Sequence, residues 1–330
     1  MMNTIVANSR TEQSEAVLAP ALYAEHKKFW LDKQPELGDI ILKLPDACID
    51  EFDRVVKAGA GFDLSEAVRA AVPQTDELAR QVRHQLEFGC GAVLIDRIPA
   101  ERYSVEENRK LCGYLSSLIA PLMEQNFEGV KLYDVMDKKV ETGEKVRRSI
   151  TNLRQNYHTD GGWVSAPARY IGLYCIRSAE LGGFSRITSI MAAYDAMFNG
   201  DERAAIQKLS ESHPWDRQGE HGRSDQPFAM NPLFVSNENG FLSRWYESYV
   251  RDGYDLKGEK MDEETSQALA IVAKYLDRQN SIRFLLETGQ FQYVNNYTVV
   301  HGRETFEDSE RVGGRHLIRV WHQTSPATEV

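Results

Sequence analysis

From about residue 130 the chain stops spacing its apolar residues as a helix does and gathers them into short runs cut by Gly, Asn and Asp. The runs 170–176, 185–189, 282–285, 291–300 and 317–321 are rich in β-branched and aromatic residues, which fit a pleated, half-buried surface. Many short strands between turns imply stacked sheets or a barrel. A dinucleotide-binding α/β sheet has no support, because no strand–GxGxxG–helix unit occurs, nor does a GxxxxGK[ST] phosphate loop or a GxSxG elbow.

Ahead of this region the pattern is mostly helical. Residues 1–20 read as a loosely held arm and 21–30 as a short helix. Residues 39–44 read as a strand stopped by Pro45. Ile49, Phe52, Val55 and Val56 share one side of a helix over 46–58, and a second helix is expected over 64–72. A stronger one spans 75–88, with Thr75 as its cap and Leu78, Val82 and Leu86 recurring every four residues. Residues 92–95 are strand-like. Ser104 with Glu107 forms a capping box opening a helix that carries Leu111, Tyr114, Leu115 and Leu118. Later helices are expected over 192–198, 202–209 and 263–276. The expected class is mainly β with flanking helices (α+β), as one structural domain. Within it, residues 1–88 form an arm and helical buttress and residues 89–330 a β core. Residues 211–240, rich in Gly, Asn, Pro, Asp and Ser, read as a lid-like insertion.

Charge and cysteine content narrow the function classes. Thirty-nine basic against 49 acidic residues give a net charge of −10, with no basic stripe, so nucleic acid is not an expected partner. The four cysteines, Cys48, Cys90, Cys112 and Cys175, contain no CxxC pair, which argues against a zinc ribbon and for a reducing compartment. Residues 1–20 lack a signal-peptide apolar stretch, and no run approaches 18 apolar residues. The expectation is a cytoplasmic protein with a small-molecule substrate and no membrane contact; a homo-oligomer is compatible with the sequence.

The chemistry starts at Tyr157-His158-Thr159-Asp160-Gly161. In extended chain, residues two apart project to one face, so His158 and Asp160 can reach one metal together. Alone the triplet carries little weight: with 8 histidines and 49 acidic residues in 330, chance gives about one H-x-[DE], and a turn at Asp160-Gly161 explains it as well. His301, at the end of a strand-like run and before Gly302, offers a third ligand, and two histidines with one carboxylate make the facial triad of non-haem Fe(II) oxygenases. Arg315, Leu317 and Arg319 alternate, so both arginines face one way. If that face is inward, they require anions.

His158-x-Asp160, a distant His301, Arg315 fourteen residues on and Arg319 four later together resemble the 2-oxoglutarate-dependent dioxygenases of the TauD/TfdA superfamily, in particular the clavaminate-synthase-like amino-acid hydroxylases. Residues 181–197, with a Gly-Gly turn, a Thr-bearing strand and a helix, and residues 289–308 strengthen the resemblance, which covers roughly residues 90–325. It implies a double-stranded β-helix, a cupin-like jelly-roll, with helices outside. It implies His158, Asp160 and His301 as catalytic Fe(II) ligands, Arg315 against the distal carboxylate of 2-oxoglutarate, and Ser185, with Thr188 as substitute, as the hydroxyl beside it. Arg319 takes the position that contacts a substrate's anionic group. Arg154 and Asn156, an even number of residues from His158, are further candidate substrate contacts. Asp160 argues against the related halogenases, which carry a small residue there.

The implied activity is hydroxylation of an unactivated C–H of a small anionic or zwitterionic metabolite, foremost a free amino acid, with O2 consumed and succinate and CO2 released. Alternatives are a catabolic dioxygenase of a sulfonate, phosphonate or aryloxyacetate, and a cupin-like metal-binding sensor without turnover. A zinc hydrolase satisfies the same ligand set. Arg315 argues against the last two, which need no cosubstrate anchor.

Overall fold

A computed structural model describes residues 23–58, 69–140, 148–222, 225–237, 240–308 and 313–323; the expected arm at 1–20 and most of the helix expected over 64–72 lie outside them. Its strands are β1 (Ile41–Lys43), β2 (Ala92–Asp96), β3 (Leu122–Met123), β4 (Leu132–Val135), β5 (Gln155–His158), β6 (Tyr170–Arg177), β7 (Leu181–Gly182), β8 (Ser185–Ser189), β9 (Ser212–Asp216), β10 (Phe228–Pro232), β11 (Phe234–Asn237), β12 (Gly240–Ser243), β13 (Ile282–Phe284), β14 (Phe291–Asn295), β15 (Val299–Arg303), β16 (Phe306–Glu307) and β17 (His316–His322). The α-helices are α1 (Ala24–Leu31), α2 (Asp46–Ala58), α3 (Pro73–Phe88), α4 (Val105–Ile119), α5 (Ile190–Asn199), α6 (Arg203–Leu209), α7 (Glu247–Lys257) and α8 (Glu263–Arg278).

Two sheets dominate. The larger has seven strands in the order β1-β2-β14-β6-β17-β3, with β4 also on β17; the smaller runs β13-β8-β15-β5. Alternation along the strands assigns their faces. Phe291, Tyr293, Ile318 and Val320 point outward under α2, α3 and α4, while Ile171, Cys175, Val294 and Leu317 point inward and meet Ile187 and Val299 of the smaller sheet. Val300 lies on the smaller sheet's other face, under α5, α6 and α8. Four layers result: helix, sheet, sheet, helix. The described strands form two facing sheets, and the hydrogen-bonded ladders do not close into a barrel among the described residues.

The N-terminal helices buttress the larger sheet because their apolar stripes have nowhere else to go. Leu78, Val82 and Leu86 are fully buried on α3, each contributing ~1.5–3 kcal/mol. Thr75 does not cap this helix. α3 starts at Pro73, whose fixed φ suits a first turn, and the buried Glu51 of α2 accepts the N–H groups of Gln74 and Thr75 at 3.1 and 2.8 Å and the Thr75 hydroxyl at 2.6 Å. The Ser104–Glu107 box is present. Segment 211–240 is not an open loop: β9 pairs with β10 and β11 with β12, and Trp215 is fully buried. Residues 291–300 are two strands, bent at Asn296–Thr298. All four cysteines are buried and unpaired. Among the described residues no helix is long and apolar enough to cross a membrane.

Candidate metal centre

The sheets bring His158, Asp160 and His301 together between them, with one potential ligand atom from each within 4.8 Å of the others. His158 ends β5 and stands directly opposite His301 on β15, their ring centroids 4.2 Å apart. Asp160 follows in the turn. Its Oδ1 lies 3.4 Å from His158 Nε2 and 3.9 Å from His301 Nε2. Its Oδ2 turns away, accepting the Trp321 indole N–H at 2.9 Å and pairing with Arg319 Nη1 at 3.1 Å. One carboxylate oxygen is thus pinned and the other presented to the two imidazoles.

The backbone at Asp160 is equally constrained. Asn296, in the bend between β14 and β15, accepts the Asp160 N–H at 2.9 Å and donates to its carbonyl at 3.0 Å. The same bend leads into His301, so one amide ties the carboxylate ligand to the strand carrying the second histidine. Thr159 exchanges bonds with Trp245, the Thr159 N–H donating at 2.7 Å and its hydroxyl accepting at 2.8 Å. Gly161 has φ +69°, and a Cβ there would stand 3.2 Å from the Trp321 ring, so glycine permits the indole's approach to Asp160.

The donors fit a divalent metal. His158 Nδ1 lies 2.9 Å from the Asn156 carbonyl and donates to it, which fixes the ring with Nε2 turned toward Asp160. Burial, reinforced by His158 and Arg319, lowers the His301 pKa to about 3, so its imidazole is neutral. Burial opposes the charge on Asp160, yet Arg319 and the two imidazoles hold its carboxyl far below the usual range. Two imidazoles and one carboxylate, each with a ligand atom turned to a common point, are a donor set that suits a divalent metal.

On one side of the triad a cavity of about 40 Å³ is lined by Ser185, Gln292, Arg303 and Arg315 among others. Arg315 Nη1, Arg303 Nε and Gln292 Oε1 are buried with no hydrogen-bond partner among the described residues. Burial lowers the pKa of both guanidiniums, that of Arg303 to about 9 with Arg315 adding to the effect. Both flank the Phe306 ring, at 4.7 and 5.3 Å. Two desolvated cations with unused donors form an anion site. On the other side a second cavity of about 40 Å³ is lined by His158, Asp160, Trp163, Tyr246, Tyr249 and Trp321 among others.

Some expected residues stand elsewhere. Thr188 faces the opposite side of β8 from Ser185, its hydroxyl donating to the Asn280 carbonyl at 2.6 Å and accepting from Gln279. Arg154 and Asn156 do not share the face of His158. β15 pairs His301 with His158 but Arg303 with Gln155, two residues against three, and this bulge reverses the parity. Gln155 therefore takes the inward position, its amide 2.9 Å from His158 Nε2, while Arg154 and Asn156 line a separate groove with Asp277 of α8. Arg319 lies at the centre, bonded to Asp160 and, through Nε, to Gln125 at 2.8 Å. His316, the neighbour of Arg315, bonds Asp134 at 2.7 Å. Gln155, Gln292, Asn296, Arg303 and Trp321 were not singled out from the sequence; the HGR triplet at His301 placed Arg303 on the inward face, and alternation from Arg319 placed Trp321 there.

Residues 55–321 match the family described as taurine catabolism dioxygenase TauD, TfdA family, and the chain belongs to that family. With the triad in place it is an Fe(II)- and 2-oxoglutarate-dependent oxygenase. FR-33289 synthase of Streptomyces rubellomurinus is 26% identical over 272 residues, 79% of this chain and 78% of that protein. Taurine hydroxylase-like protein SAT17 of Stachybotrys chartarum is 26% identical over 310 residues, covering 86% and 74%. Among solved structures, asparagine oxygenase with Fe(II), 2S,3S-3-hydroxyasparagine and succinate superposes with a TM-score of 0.64 at 14% identity, covering 86% of this chain and 94% of that one. The non-haem iron oxygenase OrfP with Fe and α-ketoglutaric acid gives 0.61 at 16%, with the same coverage.

Proposed function

We propose that the chain hydroxylates an unactivated C–H of a small anionic or zwitterionic metabolite, an amino acid or a close derivative of one, in the cytoplasm, on a jelly-roll core formed by the two facing sheets. The observation that carries this is the division of charge about the triad: Arg315 and Arg303 hold unused donors on one side, and Arg319 reaches the opposite cavity as well. Two anionic groups, one on each side of a metal, are what a 2-oxoacid cosubstrate and an acidic substrate bring. Fold-level likeness to asparagine oxygenase and to OrfP, solved with hydroxyasparagine and with (3S)-hydroxy-L-Arg, supports an amino acid.

His158, Asp160 and His301 would hold the iron, which supplies O2 activation and binds the oxoacid end of 2-oxoglutarate. Arg315, with Ser185 and Arg303 beside it, receives the distal carboxylate. Arg319 fixes Asp160 through one guanidinium edge and offers its other nitrogen to the substrate's anion. Tyr246, whose ring centroid lies 4.9 Å from that of His158, stacks on Tyr249 and walls off water.

The family description names taurine, and Arg319 does not distinguish a carboxylate from a sulfonate, so sulfonates form the second reading. The test incubates the enzyme with Fe(II), 2-oxoglutarate and O2 against amino acids, taurine and other sulfonates. Succinate above the substrate-free rate and a product heavier by one oxygen are expected with an amino acid or its derivative. Turnover confined to sulfonates would sink the amino-acid reading.

A further inference from the structure

We infer that the substrate outgrows the space at the triad and that its far end, a neutral apolar acyl or aryl extension of the amino acid, lies in an open cleft beyond Trp163. This deepens the amino-acid reading and rests on it.

The cavity on the Asp160 side, about 40 Å³, has room for about three waters. The direction in which it can grow is set by its walls. His158, Asp160 and Arg319 are held by the bonds described above, and Tyr246 is stacked on Tyr249 with centroids 4.0 Å apart. Of its other lining residues, Gln125, Trp163 and Trp321 also line a cleft of about 730 Å³ open to solvent. One layer of side chains separates the two spaces.

The three partitions differ in how firmly they are held. Trp321 is anchored by Asp160. Gln125 bonds the Arg319 side chain and, through its amide, the Lys131 and Arg319 carbonyls at 2.8 Å. Trp163 is half-buried in the turn closed by Val164 N–H to the Gly161 carbonyl at 2.9 Å, and its ring packs on Tyr249 at a looser 6.0 Å. Trp163 also packs on core residues of two clusters, but of the three it alone has no side-chain hydrogen bond among the described residues, so it is the wall we take to swing aside and join the spaces.

The cleft carries polar and apolar side chains in about equal measure, and its apolar part is the surface that a ligand's extension would cover. Leu122, Met123, Phe127, Val164 and Ala229 line it, and Phe127, at 72% exposure, is the most exposed large hydrophobic side chain among the described residues. Its backbone N–H donates to the Glu220 carboxylate at 2.8 Å, which ties the rim to segment 211–240. Exposed apolar surface gathered around a cleft beside a reactive centre is surface that a ligand covers. The charges at the rim, Lys131 and Arg217 against Glu124 and Glu220, balance, so nothing there recruits a charged tail.

The test compares lysine, ornithine and glutamate with their side-chain hexanoyl or benzyl derivatives. Binding is measured by calorimetry on the anaerobic Fe(II)–2-oxoglutarate protein, and coupled succinate release in air. The derivatives should bind about tenfold to a hundredfold more tightly than the parents, as burial of several methylenes implies. Ala229→Trp, which puts an indole into the cleft, should cut that gain while 2-oxoglutarate binding is unchanged; Val164→Phe serves if that variant does not fold. Trp163→Ala should speed entry of the derivatives. Equal affinity for parents and derivatives, or a gain that survives the cleft-filling variants, overturns the inference and leaves the amino-acid reading standing. If neither set binds while 2-oxoglutarate does, and no other amino acid releases succinate, the amino-acid reading itself fails and takes the inference with it.

Discussion

Replacing Arg315 by methionine should make the ligand-free protein more stable while removing its response to 2-oxoglutarate. The side chain is buried, its Nη1 has no hydrogen-bond partner among the described residues, and Arg303 shares its cavity. Methionine keeps the apolar stem over Phe306 and deletes the charge. Relieving a desolvated, incompletely paired cation is worth ~1–3 kcal/mol. Unfolding entropy for 330 residues is ~0.7 kcal/mol/K, so Tm should rise by ~1.5–4 °C. Wild-type protein at one hundred times its Kd for 2-oxoglutarate gains ~2.7 kcal/mol, or ~4 °C; the variant at that concentration should gain nothing measurable. The assay is thermal unfolding with and without ligand, under argon. A ligand-free variant that melts lower than wild type, yet still shifts by 4 °C with ligand, would refute the assignment of Arg315 to the anion site.

Three further outcomes follow from the same geometry. Trp321→Phe removes the donor to Asp160 Oδ2 and should lower Fe(II) affinity about 10- to 100-fold in equilibrium dialysis, with the circular-dichroism spectrum unchanged. His26, bonded to Ser189 at 2.7 Å, and His322, bonded to the Ala120 carbonyl at 2.9 Å, are buried with pKa values lowered to about 3 and about 4. Unfolding lets both take up a proton below their ordinary 6.5, so their share of stability is complete above that pH and is lost as pH falls toward 4. The slope should approach ~2.5 kcal/mol per pH unit near pH 5, readable from urea midpoints between pH 7 and 4, and a flat profile would contradict it. Gly162→Ala sets a Cβ 2.4 Å from the fully buried Trp215 ring and should cost ~1–3 kcal/mol by the same urea assay.

What could be read from the sequence was whatever rests on local spacing. Leu78, Val82 and Leu86 at helical period and the Ser104–Glu107 box required no knowledge of distant chain, and the order His158-x-Asp160, His301, Arg315, Arg319 survives as spacing alone. What escaped was set by pairing between strands. A bulge is invisible without its partner strand, so Arg154 and Asn156 were assigned the face that Gln155 occupies. Thr188 needed no partner strand: three residues from Ser185 on β8, it falls on the opposite face by alternation alone. Thr75 has the chemistry of a cap, but a carboxylate 24 residues away took the role. Segment 211–240 has the composition of a loop, yet Trp215 within it supplies a buried anchor that outweighs its Gly, Pro and Asn content. Arg303, Gln292 and Trp321 gain meaning only when the two sheets face each other.

The most direct test of the account is an anaerobic titration of metal-free protein with Fe(II) and then 2-oxoglutarate, followed by the weak visible charge-transfer band of the chelate. The account predicts a band saturating at one equivalent of each, lost in His158→Ala and displaced to much higher 2-oxoglutarate concentration in Arg315→Ala. A correctly folded, iron-loaded protein that shows no band, or a band indifferent to both substitutions, would contradict it.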